Sequence, residues 1–465
     1  MKLSKMSVVA FAAAGAMMLG LAACGSTKGS AGTDSKKISA EDRPLGWASY
    51  AKSTDLAGKS VTPPSAEKGT IGGFGGKIVT VKTRDDFIKY AESEEPMIIY
   101  VDGVIDMTDL GTGSMVPDTA TGSTFALDKW IAERTAGTSM AVTSYHDWKV
   151  KYTASQDSHN DESGEAALVR AKMDKEWGEL IDVRVADNKT IIGLGANSGL
   201  YGGSLFIKDK QNIVIRNMNI TECYNPFPAM EANDGLNAEW DCITVRTSKY
   251  IWIDHCTIGS GPEFTPADID KDKYKTQDNE MVKWQVHDGL LDITNQSDFV
   301  TVSWCILRNH DKTMLIGASD SKTGDINHQT ISLMHNWFDG CAQRLPMVRF
   351  ATLHILNCYY SAGVDNTWQR GIDRRKDCKI YSEGNYFEEE RKSVTSSDKG
   401  SMFDVGSVNL MKNWLNDKAA WNPKDYYQYK VEKAESAKNS ILLLAGAGKL
   451  PVSYQDPNAP VTDPK

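Results

Sequence analysis

None of the eight cysteines in this 465-residue chain stands in a C-x-x-C pair, so neither a zinc site nor a dithiol redox motif is expected. Positive charge is in deficit: 52 Lys and Arg face 61 Asp and Glu, for a net charge of −9. Nucleic acid is therefore not an expected partner, because no basic surplus is available to neutralise phosphates. An acidic polymer would have to bind through a local basic cluster, against the overall field. Closely spaced hairpin turns are missing too. Asp234-Gly235, Asp288-Gly289 and Asp339-Gly340 lie far apart, which argues against a propeller or Greek-key arrangement. Hydrophobic and charged fractions of 41% and 24% are ordinary for a folded protein, so disorder is not the reading.

The apolar run from Ser7 to Gly20 is too short for a membrane span. With Lys2 and Lys5 before it and Leu21-Ala22-Ala23-Cys24 after it, it reads as a targeting segment. The Leu-Ala-Ala-Cys sequence resembles a bacterial lipobox, which implies cleavage after residue 23 and lipidation of Cys24. Residues 1–23 are thus expected to be a lipoprotein signal peptide. The expected location is extracytoplasmic, on the cell surface or in the periplasm of a bacterium, held to the membrane by the N-terminal lipid only. Seven cysteines remain after Cys24, an odd number, and most are read as small buried hydrophobes.

Residues 24–65, rich in Ser, Lys, Gly, Thr and Ala, read as a flexible tether. The main domain is expected at 66–450, followed by a loose tail at 451–465. Two strands flank a short helix at DDFIKYAES (85–93), and SAKNSILLLAGAGKL (436–450) reads as a helix that caps an open end of the fold. Residues 107–180, with Trp130, Trp148 and Trp177 and helix-like stretches such as ALVRAKMDKEWGELI, form a long loop and helical insertion.

From 185 onward short strands recur. Aligned on their apolar positions, Cys256, Cys305, Asn336, Cys358 and Asn385 fall in one column. Strands that return every 20–30 residues or so, with thiols and amides stacking at one bend, indicate an all-β parallel β-helix, a solenoid.

The chemistry begins with acids. Glu239 and Asp241 are two apart, and Asp288 and Asp292 are four apart, so on extended strands each pair shares a face. Four convergent carboxylates without a histidine suit Ca²⁺, a hard cation that takes six to eight oxygens. A glycosidase using paired acids is the rival. Against it stand Lys312, Arg344 and Arg349, cations suited to an anionic sugar, the arginines through a planar fork matched to its carboxylate.

Together WIDH (252–255), HDGLLDI (287–293), VTVSW (300–304), HDKTMLIGASD (310–320), HNWFD (335–339) and RLPMVRF (344–350) resemble the pectate lyases of polysaccharide lyase family 1. The resemblance implies a right-handed parallel β-helix that cleaves polygalacturonate, the (1→4)-α-D-galacturonan of pectin, by Ca²⁺-dependent β-elimination to 4,5-unsaturated oligogalacturonides. Carried onto this chain, it implies Asp241, Asp288 and Asp292 as principal calcium ligands, with Glu239 as a further candidate. It implies Lys312 on the substrate carboxylate, where it also stabilises developing charge, Arg344 as the base and Arg349 as a second substrate-binding arginine. The chain departs from some members at Thr294, where they carry lysine. Asp254 and His255 are read as structural, and His287 and His310 as support for the acids and lysine. A monomer is expected. The alternative function is a non-catalytic pectin-binding β-helix adhesin, which would be expected to have lost Arg344 or a calcium acid.

Overall fold

The apolar segments that recur along the chain become rungs of three parallel sheets. A computed structural model describes residues 43–450 apart from 119, 262–271, 364–368, 391, 397–398 and 412–416, all within one compact unit spanning 38–465. The leader, Cys24 and the tail at 451–465 lie outside the described residues.

One sheet has ten strands, from Lys77–Val81 to Ser401–Val405, and two have eight. Each coil gives one strand to each sheet: Ile243–Arg246, Lys249–Asp254 and Thr257–Gly259 form one coil, and Leu291–Thr294, Asp298–Ser303 and Ile306–Lys312 the next. The result is a right-handed parallel β-helix. Its core is filled by residues in register, such as Val245, Ile293, Ile316 and Val348, all unexposed. Parallel strands buried in this way account for continuous apolar runs rather than strict alternation.

The column seen in the sequence is a ladder of hydrogen bonds at one bend. Cys305 N donates to Asn336 Oδ1 at 2.9 Å and Cys358 N to Asn385 Oδ1 at 2.7 Å, while the Asn336 amide donates to Val302 O at 2.8 Å. The residue before each rung, His255, Trp304, His335, Asn357 and Gly384 in turn, has positive φ. Five such residues in succession make the same tight corner. The seven cysteines of the described domain are all buried and unbridged.

Helix α1 (Arg84–Ala91), capped by the Thr83 side chain, sits against the first coils with Phe87 and Ala91 fully buried. The insertion carries α2 (Phe125–Thr135), α3 (Tyr145–Thr153) and α4 (Gly164–Ile181). Their tryptophans, Trp130, Trp148 and Trp177, surround Phe227 at ring separations of 5.3, 6.2 and 6.1 Å. The insertion is therefore a packed helical layer. Helix α5 (Ala434–Leu444) lies along the flank of one sheet, with Ile441 against Tyr359, and does not close an open end as its sequence suggests. Its apolar side finds a partner on the side of the coils.

The tether reading is corrected in its second half. Residues 43–65 are docked: Trp47 is fully buried beside Tyr50, Phe299, Trp421, Tyr426 and Tyr427. Trp47 N and Ala48 N donate to Ser332 Oγ and Thr301 Oγ1 at 3.1 and 3.0 Å. A few aromatic anchors outweigh the polar composition of this segment.

Candidate active site

Asp241 lies just before the strand Ile243–Arg246, and Asp292 lies within Leu291–Thr294 of the next coil. Register sets Thr244 beside Asp292, and Thr244 Oγ1 donates to Asp241 Oδ2 at 2.9 Å. Gly289 stands between the two acids. Its N–H donates to Asp241 Oδ1 at 2.9 Å, and a Cβ there would sit 2.6 Å from Asp241 Oδ1 and 2.7 Å from Asp292 Oδ1. Only glycine permits this approach. Leu315 N fixes Asp292 Oδ1 at 3.0 Å.

Asp288 joins them from the irregular segment that precedes the strand, with Lys312 Nζ 2.8 Å from its Oδ1. The shared strand face expected of Asp288 and Asp292 is not how they meet. The chain bends at Leu290, between the two acids. The Glu239 and Asp241 pair fails the same premise, because the strand begins only at Ile243. Glu239 instead hydrogen-bonds Asp174 of α4, and burial, then the Asp174 charge, raise its pKa. Trp240 Nε1 also donates to Asp174, at 3.1 Å. The structure thus groups Asp241, Asp288 and Asp292 and ties Glu239 to the insertion.

Crowding is visible in the titration behaviour. Burial, followed by the Asp288 charge, pushes the Asp241 carboxyl up to about 7. Asp292 is driven well above the usual carboxylate range by burial and then by Asp241 and Asp288, with Arg344 opposing. Arg344 follows the strand Trp337–Gln343 with left-handed backbone (φ 57°). Its Nε is buried without a hydrogen-bond partner among the described residues. Arg349, after Met347–Val348, is braced by Asp320 Oδ1 at 2.6 Å and Gly317 O at 3.2 Å.

Behind the acids, His310 Nε2 donates to Asp288 O at 2.6 Å and its Nδ1 accepts from Ser260 Oγ at 2.5 Å. Burial first, then His287 and the nearby cations, lowers its pKa to about 3. A neutral ring holds the Asp288 backbone. His287 pairs with Glu222 at 2.9 Å. Asp254 and His255 lie at the corner of the ten-stranded sheet, with Arg216 Nε 3.0 Å from Asp254 Oδ2, a structural arrangement. The sequence reading missed Glu231, whose pKa is raised by burial and eased by Lys312. It sits on the hairpin Ala229–Glu231/Gly235–Asn237. Its signal was Asp234-Gly235, one of the three isolated turn signals.

A family model described as pectate lyase matches residues 116–450. The chain belongs to the pectate lyase family. A pectate lyase of Bacillus subtilis (strain 168) is 28% identical over 430 residues, covering 87% of this chain and 92% of that protein. Pectate lyase E of Dickeya chrysanthemi is 34% identical over 290 residues, 58% of this chain and 73% of its own length. A solved pectate lyase bound to hexasaccharide is 25% identical with a TM-score of 0.67, covering 90% of this chain and 100% of that one. The protein is accordingly a polysaccharide lyase of the pectate lyase type.

Proposed function

We propose that this pectate lyase cleaves polygalacturonate by β-elimination with Ca²⁺ held by Asp241, Asp288 and Asp292. The observation that carries the reading is the pair Asp241 and Asp292, each 8% exposed and pressed together over Gly289. Two buried carboxylates cannot both ionise without a counter-charge, and an all-oxygen set suits a hard cation. Calcium, when bound, supplies positive charge that neutralises the acids and the carboxylate of the sugar.

The C5 proton of a galacturonate unit is α to its carboxylate, so its removal builds a second negative charge on that group. Lys312, at the rim of the acids, is positioned to accept this charge, and such preorganised stabilisation lowers the barrier. Arg344 takes the C5 proton. The C5–H electron pair becomes the C4–C5 double bond as the C4–O bond breaks. The departing oxygen leaves with the C–O electron pair, takes a proton from solvent and carries the other chain away as a free hydroxyl end. A guanidinium holds its proton tenaciously, so turnover is expected to favour alkaline solution. Arg349, braced by Asp320, is suited to orient a neighbouring carboxylate. The hexasaccharide on the solved relative supports a polymer substrate lying across several units.

The leader reading belongs to this proposal: cleavage after residue 23 and lipidation of Cys24 would hold the enzyme outside the cytoplasm, where the polymer is met. The test is turnover of polygalacturonate with calcium, after chelation and after readdition, read as ultraviolet absorbance of the unsaturated uronide. Loss on chelation and recovery with Ca²⁺ is expected. Calcium-independent turnover overturns the metal assignment, and binding without product leaves the adhesin.

A further inference from the structure

A second cluster of ligand atoms lies under the docked N-terminal segment, at the ten-stranded sheet rather than the eight-stranded sheet that carries Asp292. Asp298 opens the strand Asp298–Ser303 and is 0% exposed. Its Oδ1 accepts from Thr330 N at 3.0 Å, Phe299 N at 3.2 Å and the Thr330 hydroxyl. Asp55, 6% exposed, uses Oδ1 to accept from Lys59 N at 2.8 Å. In both carboxylates one oxygen is anchored and the other is left over. Asp298 Oδ2, Asp55 Oδ2 and His328 Nδ1 have no hydrogen-bond partner among the described residues. His328 is 7% exposed. The ligand atoms of these three side chains lie within 4.8 Å of one another.

Buried polar atoms left unpaired are costly, and here three of them converge. An ion pair from a protonated His328 would close to about 2.7–2.9 Å, yet Nδ1 stands 3.5 Å from Asp298 Oδ2. Two ligands on adjacent corners of a tetrahedron, each about 2.0–2.1 Å from a central ion, are about 3.3 Å apart, so the observed spacing is that of co-ligands. We propose that Asp55, Asp298 and His328 form a site for a divalent transition ion, zinc being the best match. The imidazole nitrogen sets it apart from an all-oxygen calcium site. With no cysteine involved and the three residues scattered along the sequence, no motif announces it. Its role is mechanical: the ion pins the 43–65 segment, through Asp55, to the bend of the ten-stranded sheet. The inference does not rest on the catalytic assignment.

The test uses the full chain, stripped with chelator and saturated with Ca²⁺, then titrated with Zn²⁺ by calorimetry and with Co²⁺ by visible absorbance. One zinc per chain, a rise in Tm and the visible band of low-coordinate Co²⁺ are expected. His328→Gln and Asp55→Asn should each weaken zinc by about 100-fold or more, since each removes a ligand where loss of a supporting group alone costs 10–100-fold. Activity on polygalacturonate in excess Ca²⁺ should stay unchanged in both. Asp55→Asn keeps the volume and an acceptor for Lys59 N, and the Co²⁺ spectrum of the unaltered protein needs no variant. No zinc bound in the presence of Ca²⁺, or equal affinity in the variants, overturns the site.

Discussion

Asp241 and Asp292 face each other across Gly289, and their raised pKa values make protons direct competitors of the cation. The calcium concentration needed for half-maximal activity should therefore rise as pH falls through about 7, the value for Asp241. Calcium titrations of activity on either side of that pH check this. The sign for stability is the reverse. Carboxyls whose folded pKa is raised support the fold only while protonated, so the chelated protein should lose stability as pH climbs from the usual carboxylate range, about 4, through 7. Calcium should restore it. Asp292→Asn should raise the Tm of the chelated protein in alkaline buffer while lowering kcat by about 10²–10³; a lower Tm would contradict the crowding argument. Asp241, Asp288, Asp292, Lys312 and Arg344 were legible because the types of residue and the motifs around them are distinctive. How they meet was not. Strand periodicity put Asp288 with Asp292 and Glu239 with Asp241, whereas the bend at Leu290 and the pull of Asp174 decide the geometry. A lone sequence carries neither.

The bend that repeats from coil to coil combines left-handed residues with the amide and thiol ladder. Side chains such as Trp304 and His335 are costly in that conformation. They stack with ring centroids 4.3 Å apart, and the ladder bonds beside them recover part of the cost. Asn336→Ala would leave Cys305 N without its partner in the core, at about 1–3 kcal/mol, measurable as lost stability in denaturant titration with little change in kcat. The ladder was legible because it repeats. The insertion was legible only as helix-like stretches, since the partner of its three tryptophans, Phe227, lies in a distant segment. Trp177 Nε1 also donates to Tyr224 O at 2.7 Å, and Trp284 Nε1 to Tyr145 of α3 at 3.0 Å. The insertion thus braces the segments that lead into Asp241 and Asp288. Trp177→Ala should cost about 3–5 kcal/mol and raise KM for the polymer, as thermal unfolding and steady-state kinetics would show. Unchanged KM in the folded variant would limit the insertion to stability.

At the scale of the whole molecule, parallel coils were readable from strand spacing because each rung repeats the same burial problem. The docked segment at 43–65 was not, because its composition is polar and its few anchors find partners scattered from Phe299 to Tyr427. The solenoid sets the acids of two successive coils beside Lys312, which ends the second, and Arg344, which ends the third, so the active site is a product of stacking. The most direct measurement is product formation from polygalacturonate by the calcium-saturated protein and its Arg344→Ala variant, with calcium binding measured in both. The account predicts an unsaturated chromophore from the unaltered protein and a fall of about 10²–10⁴ in rate in the variant, at equal calcium affinity. A variant that keeps its rate, or new reducing ends formed without the chromophore, would contradict it.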